Sequence, residues 1–143
     1  MAVRLYLDHA ATTPVVAPAR DAMLRGIELW ANPSSPHAAG RVARAALEAA
    51  RAKVKAALDW TGEVIFTSGA SEAIAIAMTR TDADAVMIST VEHEAVQRAA
   101  GQATILPVGA NGLVARDRLA GRLGASSARH PLVAIQSVNN ETG

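Results

Sequence analysis

Between Val15 and about Trp30, apolar residues recur at Val16, Met23, Ile27 and Trp30 with charges between them, a loose helical spacing. Asn32-Pro33 closes the pattern, because a residue preceding proline avoids the right-handed helical region. From Ala38 to about Leu58 the chain is rich in alanine, and Val42, Leu47, Val54 and Leu58 fall near the helical period with Arg and Lys on the other side. That stretch predicts a long helix lying against another surface. After Gly62 the pattern changes to short continuous apolar runs, Val64–Thr67, Ala85–Ser89, Ala103–Pro107 and Leu132–Gln136. Continuous runs separated by helical stretches suit parallel strands buried on both faces. The helices between them are expected over about Ser71 to Thr79, Glu94 to Ala100 and Ala115 to Gly124, with a turn at Gly109-Ala-Asn-Gly112. The expectation is an α/β chain: an arm with two lead-in helices over residues 1–60, then a βαβαβαβ layer over 61–143.

Composition narrows the function without naming it. Half the residues are hydrophobic and 14 Lys+Arg stand against 13 Asp+Glu, which suits a globular body and gives no support to nucleic-acid binding. No apolar run approaches the roughly 18 residues that cross a bilayer, and the first residues lack the apolar core of a secretory signal, so no membrane role and a cytoplasmic location are expected. The absence of cysteine removes disulfides, a zinc thiolate site and a cysteine nucleophile from this chain. No metal site is expected.

The candidate chemistry lies where strands are expected to end, which is where open α/β sheets build their sites. Thr67-Ser-Gly-Ala-Ser-Glu72 follows a strand run and opens a helix, so free backbone N–H groups and the positive end of the helix dipole would face outward. Gly69 allows close approach of a phosphate and the Ser71 hydroxyl can donate to it; read alone, the turn is equally an ordinary helix cap. In Val91-Glu-His-Glu-Ala95, His93 can lie flat on an aromatic cofactor or shuttle protons near neutral pH, or be a plain loop histidine. In Val138-Asn-Asn-Glu-Thr-Gly143 the amides can hydrogen-bond a phenolate or carboxylate without bringing charge, or simply form a turn. Asp8-His9 and Asn32-Pro-Ser-Ser-Pro-His37 are polar clusters that cap helices as readily as they line a pocket, and His130 carries no assignment.

These motifs, in this order with Leu7-Asp-His-Ala-Ala-Thr-Thr-Pro14 ahead of them, resemble the N-terminal part of a cysteine desulfurase, a pyridoxal-phosphate enzyme of the class V aminotransferase family. The resemblance implies the N-terminal part of a fold type I large domain, mostly parallel, and an enzyme that converts L-cysteine to L-alanine while passing sulfur to an acceptor protein as persulfide. By resemblance Ala70 and Ser71 hold the cofactor phosphate, His93 stacks on the pyridine ring as the catalytic histidine, and Asn140 contacts the ring oxygen and the substrate side. The chain departs from the family at Ser71, where threonine is usual, at Ala73-Ile-Ala-Ile76, where a polar stretch containing Asn is usual, and in a shorter span from Ser71 to His93.

The resemblance also implies what these residues lack. A pyridoxal-phosphate enzyme needs a Schiff-base lysine and an acidic partner for the ring nitrogen. Lys53 and Lys55 are the only lysines and both fall in the long predicted helix. In the family the lysine, the acidic partner, a carboxylate-binding arginine and the persulfide cysteine lie further along, so a C-terminal remainder or companion chain and a dimeric or heteromeric assembly are expected. The first strand of the family sheet pairs with the last, which would leave Val64–Thr67 without a neighbour. Other readings are a different class V enzyme, such as a selenocysteine lyase or aminotransferase, and a non-catalytic assembly or regulatory partner.

Overall fold

The computed structural model describes residues 5–9, 11–140 and 142. Two compact units divide the chain between Phe66 and Thr67.

The first unit carries two helices. Helix α1, Ala17–Ile27, starts with proline in its first turn, where a missing N–H costs nothing, and stops short of Trp30 with Glu28 as its cap. Helix α2, Ala38–Ala57, is entered through the Asn32–His37 cluster: Ser35 N donates to Asn32 O at 3.0 Å, and His37 Nδ1 accepts from Gly40 N at 3.2 Å. Gly40 is buried against that turn, where a Cβ would run into Ser35 O and come within 2.9 Å of Asn32 O. The cluster therefore serves as a helix cap. At the other end Asp59, with φ of 48°, reverses the chain so that Trp60 N donates to Lys55 O at 2.9 Å. That is the Schellman arrangement, with aspartate where glycine is usual.

The apolar stripe of α2 finds little cover. Val42 and Leu58 stay exposed, as do Met23, Leu24 and Ile27 of α1, and Gly40 is the only buried residue among those described in this unit. The run Val64–Thr67, expected to be a strand, joins no ladder among the described residues, and Ile65 and Phe66 remain half-exposed or more. A strand exists only where a second segment accepts its backbone bonds, so apolar character alone does not make one. Arg51 instead places its guanidinium 5.9 Å from the centre of the Phe66 ring.

The second unit is a three-stranded parallel sheet with helices. Strands β1 (Ala85–Ser89), β2 (Thr104–Leu106) and β3 (Pro131–Ala134) lie in the order β2-β1-β3. Met87 pairs with Thr104 on one side and with Val133 on the other, and both pairings are parallel. Helix α3 (Ala70–Arg80) precedes β1, α4 (Glu94–Ala99) carries the chain from β1 to β2, and α5 (Arg116–Ala125) leads to β3. The sheet thus has three of the four expected strands, and β2 and β3 are shorter than the apolar runs that announced them.

The core sits on β1. Ile88, Val96 and Ala100 form its buried centre, and Ile74 and Met78 of α3 pack on it with Val86, Ala103 and Ala134. A fully buried side chain such as Ile88, at 2% exposure, contributes about 1.5–3 kcal/mol. The expected turn at Gly109–Gly112 is present: Gly109 N donates to Leu113 O at 2.9 Å, and Gly112, with φ of 74°, supplies the left-handed residue.

Asp84 ties the entries of β1 and β3 together. Its carboxylate accepts from Arg129 N at 2.7 Å and from His130 N at 2.9 Å, and those two backbone donors hold its pKa below the usual aspartate value. A lowered folded-state pKa means that the clip contributes fully above the unfolded value, about 3.9, and is lost as pH falls through the folded one. A carboxyl-resolved NMR titration should place the Asp84 midpoint below ordinary aspartates, and Asp84→Asn should flatten the part of the acid stability loss that this group causes. A midpoint at or above the ordinary value would show that the clip is open in solution.

Candidate active site

Three segments of the second unit carry the candidate groups. The first is the turn into α3. Gly69 is its N-cap, contributes no side-chain acceptor, and has no atom within 4 Å of where a Cβ would stand. The first-turn N–H groups have no partner within a helix, and no cap side chain closes over them here. Thr67 Oγ1 donates to Gly69 O at 3.0 Å, and Glu72 reaches back to accept from Ser68 N at 2.6 Å, which fixes the turn from both sides. That bond to Ser68 holds the Glu72 pKa below the usual glutamate value. Ala70 and Ser71 are exposed at the mouth of this turn.

The second segment follows β1. His93 is the N-cap of α4, and its Nδ1 accepts from Ala95 N at 3.1 Å. Accepting there requires a bare Nδ1, so the neutral ring carries its proton on Nε2, and the ring is exposed. Glu92 beside it points the other way and is 5% exposed. The third segment follows β3. Asn139 is buried, donating from Nδ2 to Val91 O at 2.7 Å and accepting from Thr142 N at 3.0 Å, while Asn140 is exposed in the following turn. Glu141 and Gly143, which complete the motif read from the sequence, lie outside the described residues, as does Ala10 of the N-terminal motif.

The fold brings these segments together in two ways. Ser71, on α3, shares a shallow groove between α3 and α4 with Ala75, Ala95 and Arg98, which sets it beside the helix that His93 caps. The exits of β1 and β3 are bonded to each other through Val91–Asn139 and through Glu92, whose Oε1 accepts from Gln136 N at 3.0 Å. Beneath them lies a cavity of about 100 Å³ lined by Ser89, Glu92, Gln136, Asn139 and Thr142. That is smaller than the roughly 300 Å³ at which small-molecule pockets begin, and Ser71, His93 and Asn140 are not among its walls.

The remaining candidates stay in the first unit. Tyr6 and His9 meet edge to face at 5.1 Å, and His9 Nδ1 lies 3.2 Å from Thr13 Oγ1, so the Asp8-His9 cluster is occupied with its own turn. His37 caps α2. Lys53 and Lys55 lie within α2. Among the described residues no three His, Asp or Glu side chains are grouped to hold a metal ion, and no helix is long and apolar enough to cross a membrane. Glu92 and Asn139 carry more of the geometry than the motif reading assigned them. The signal available in the sequence was their place beside His93 and Asn140.

A parallel sheet with helices, polar loops at the strand exits and an open helix N-terminus describes part of the large domain of a fold type I transferase. The sequence model of the Aminotransferase class-V family matches residues 5–143, and the chain belongs to that family. Its curated relatives include the cysteine desulfurase IscS of Dictyoglomus turgidum, 36% identical over 155 residues, and a cysteine desulfurase of Frankia sp., 38% identical over 162 residues. Each alignment takes in 97% of this chain and 38% of the relative, so the chain spans well under half the length of these proteins. Among solved structures, a NifS-like protein from Rickettsia africae superposes with a TM-score of 0.84 at 30% identity, covering 94% of this chain and 40% of that one.

Proposed function

We propose that these residues form the part of a pyridoxal-phosphate-dependent cysteine desulfurase that grips the cofactor phosphate and covers one face of its ring. The observation that carries the proposal is the α3 turn: an uncapped helix N-terminus, glycine backbone open on its outer side and an exposed Ser71 hydroxyl, on the helix packed beside the one His93 caps. Relatives named cysteine desulfurase, over nearly the whole of this chain, support the choice of reaction.

The residues fit the group in a defined way. Backbone N–H groups at Ala70 and Ser71 and the Ser71 hydroxyl would bind phosphate oxygens, aided by the dipole of α3. His93 would lay its exposed ring on the pyridine face, with Nδ1 committed to the backbone and Nε2 left to exchange a proton with the substrate. Asn140 would orient the ring oxygen through its amide without adding charge. The cofactor supplies an electron sink for bonds broken at the amino acid's α-carbon. The lysine that anchors it, the acidic partner of its ring nitrogen and the sulfur-carrying thiol would come from a C-terminal remainder or companion chain, in a dimeric or heteromeric cytoplasmic assembly that delivers sulfur to an acceptor protein.

Ser71→Ala in the assembled enzyme tests this. A hydrogen bond to a charged group contributes about 1.5–3 kcal/mol, so losing it should weaken cofactor retention roughly 10- to 100-fold, read by visible absorbance during dialysis. Ser71→Thr keeps the hydroxyl and should retain the cofactor. Equal retention by the alanine variant would return the turn to a plain helix cap.

A further inference from the structure

Glu92 is the one carboxylate buried among the described residues, at 5% exposure. A carboxylate out of water is unfavourable unless its oxygens are bonded, so its placement calls for a reason. Its Oε1 accepts from Ser89 Oγ, at the last residue of β1, at 2.7 Å, and from Gln136 N, just past β3, at 3.0 Å. The Glu92 carbonyl accepts from Gln97 Nε2 of α4 at 2.8 Å, which ties the same residue to the helix that His93 caps. One side chain and its backbone thus link the end of β1, the start of α4 and the exit of β3.

We infer that Glu92 is a positioning residue: it holds the His93 ring and the Asn140 turn in one fixed relation. The inference rests on the roles proposed above for His93 and Asn140 and adds the element that couples them. His93 is the next residue along the chain, so a tilt of the Glu92 peptide turns the imidazole, and Gln136 is only a few residues from Asn140. The second tie, Asn139 Nδ2 to Val91 O, closes the same pair of loops and leaves Glu92 to set their register. A buried acceptor does this better than an apolar filler because it is directional. Hydrogen bonds at 2.7 and 3.0 Å fix where the two loops stand, whereas packing alone lets them slide.

The test uses the assembled holoenzyme and its apo form, with Glu92→Ala, Glu92→Gln, His93→Ala and the Glu92→Ala/His93→Ala pair. Glu92→Ala should weaken pyridoxal-phosphate retention about tenfold or more and shift the visible band, because a small misplacement of an aligned group has a large effect. Glu92→Gln keeps an oxygen acceptor and should stay within about threefold of wild type. In the His93→Ala background the loss on removing Glu92 should shrink to about threefold or less, as expected when one residue acts through another. Amide exchange at Gln136 in the apo protein should quicken at least about tenfold in Glu92→Ala and stay near wild type in Glu92→Gln.

Equal losses in both backgrounds, or unchanged retention and spectrum in Glu92→Ala, would overturn the inference while leaving the desulfurase reading intact. Wild-type protein that binds no pyridoxal phosphate would overturn both. Where Glu92→Ala does not fold, Ser89→Ala carries the test: it strips one of the two donors and should give a smaller spectral shift with about a threefold loss, and an unchanged spectrum would count against the strap.

Discussion

Residues 1–143 purified free of any companion polypeptide should release no sulfide from L-cysteine. Sulfur transfer in the proposed reaction needs a thiol to receive the sulfur, and these residues include no cysteine. Anchoring the cofactor needs a lysine, and the only two, Lys53 and Lys55, lie in α2 rather than at a strand exit of the sheet. The exposed apolar residues of the first unit, with Leu5, Trp30 and Ile27 at 71% exposure or more, add a physical reason to supply a second polypeptide in the assay. Co-expression with a C-terminal portion of a class V enzyme that carries both groups should restore sulfide release. Release by residues 1–143 alone, from protein shown by mass to be free of a partner, would refute the division of labour proposed here.

The second large effect is expected at His93. In an assembled enzyme, His93→Ala should lower the rate of desulfuration on the order of 10²-fold or more, the scale of a lost general acid–base group, while leaving the fold intact. The ring is exposed and its one hydrogen bond among the described residues is the cap to Ala95 N, so the loss of stability should be no more than that of a helix cap, about 0.5–2 kcal/mol, and the fold should stay intact. His93→Asn separates the two roles, because an amide can still cap the helix but can neither stack as an aromatic nor carry a proton. Asparagine should therefore behave like alanine in rate. A near-wild-type rate in either variant, measured under saturating cofactor, would reduce His93 to a helix cap.

Much of this was legible in the sequence. Helical periodicity located α1 and α2, the runs at Ala85–Ser89, Ala103–Pro107 and Leu132–Gln136 located the three strands, and the stretches before and between those runs located α3 to α5, all to within a few residues. The Val64–Thr67 run carried the same local signal and joins no ladder among the described residues, since a ladder is a property of two segments and a local pattern reports on only one of them. The Asn32–His37 cluster was ambiguous between pocket and cap, and the burial of Gly40 against Ser35 settles it as a cap. Glu92 and Glu94 look alike on either side of His93, yet one is buried and the other exposed.

The sequence by itself determined the α/β class, the order of the elements, the absence of a thiol and the motifs that place the chain among class V enzymes, because each of these is carried by composition or by short-range spacing. Tertiary structure alone decided which polar residues are fixed inward and which stay at the surface. Glu92 meets Gln136 across 44 positions of the chain and Asn139 meets Val91 across 48, contacts that exist only once β1 and β3 lie side by side. Closing so long a loop is an entropic cost that the sheet and its core meet first, and the polar ties then select one relation between the strand exits. No window of sequence contains both partners, and so none could show which of two neighbouring glutamates or asparagines would turn inward.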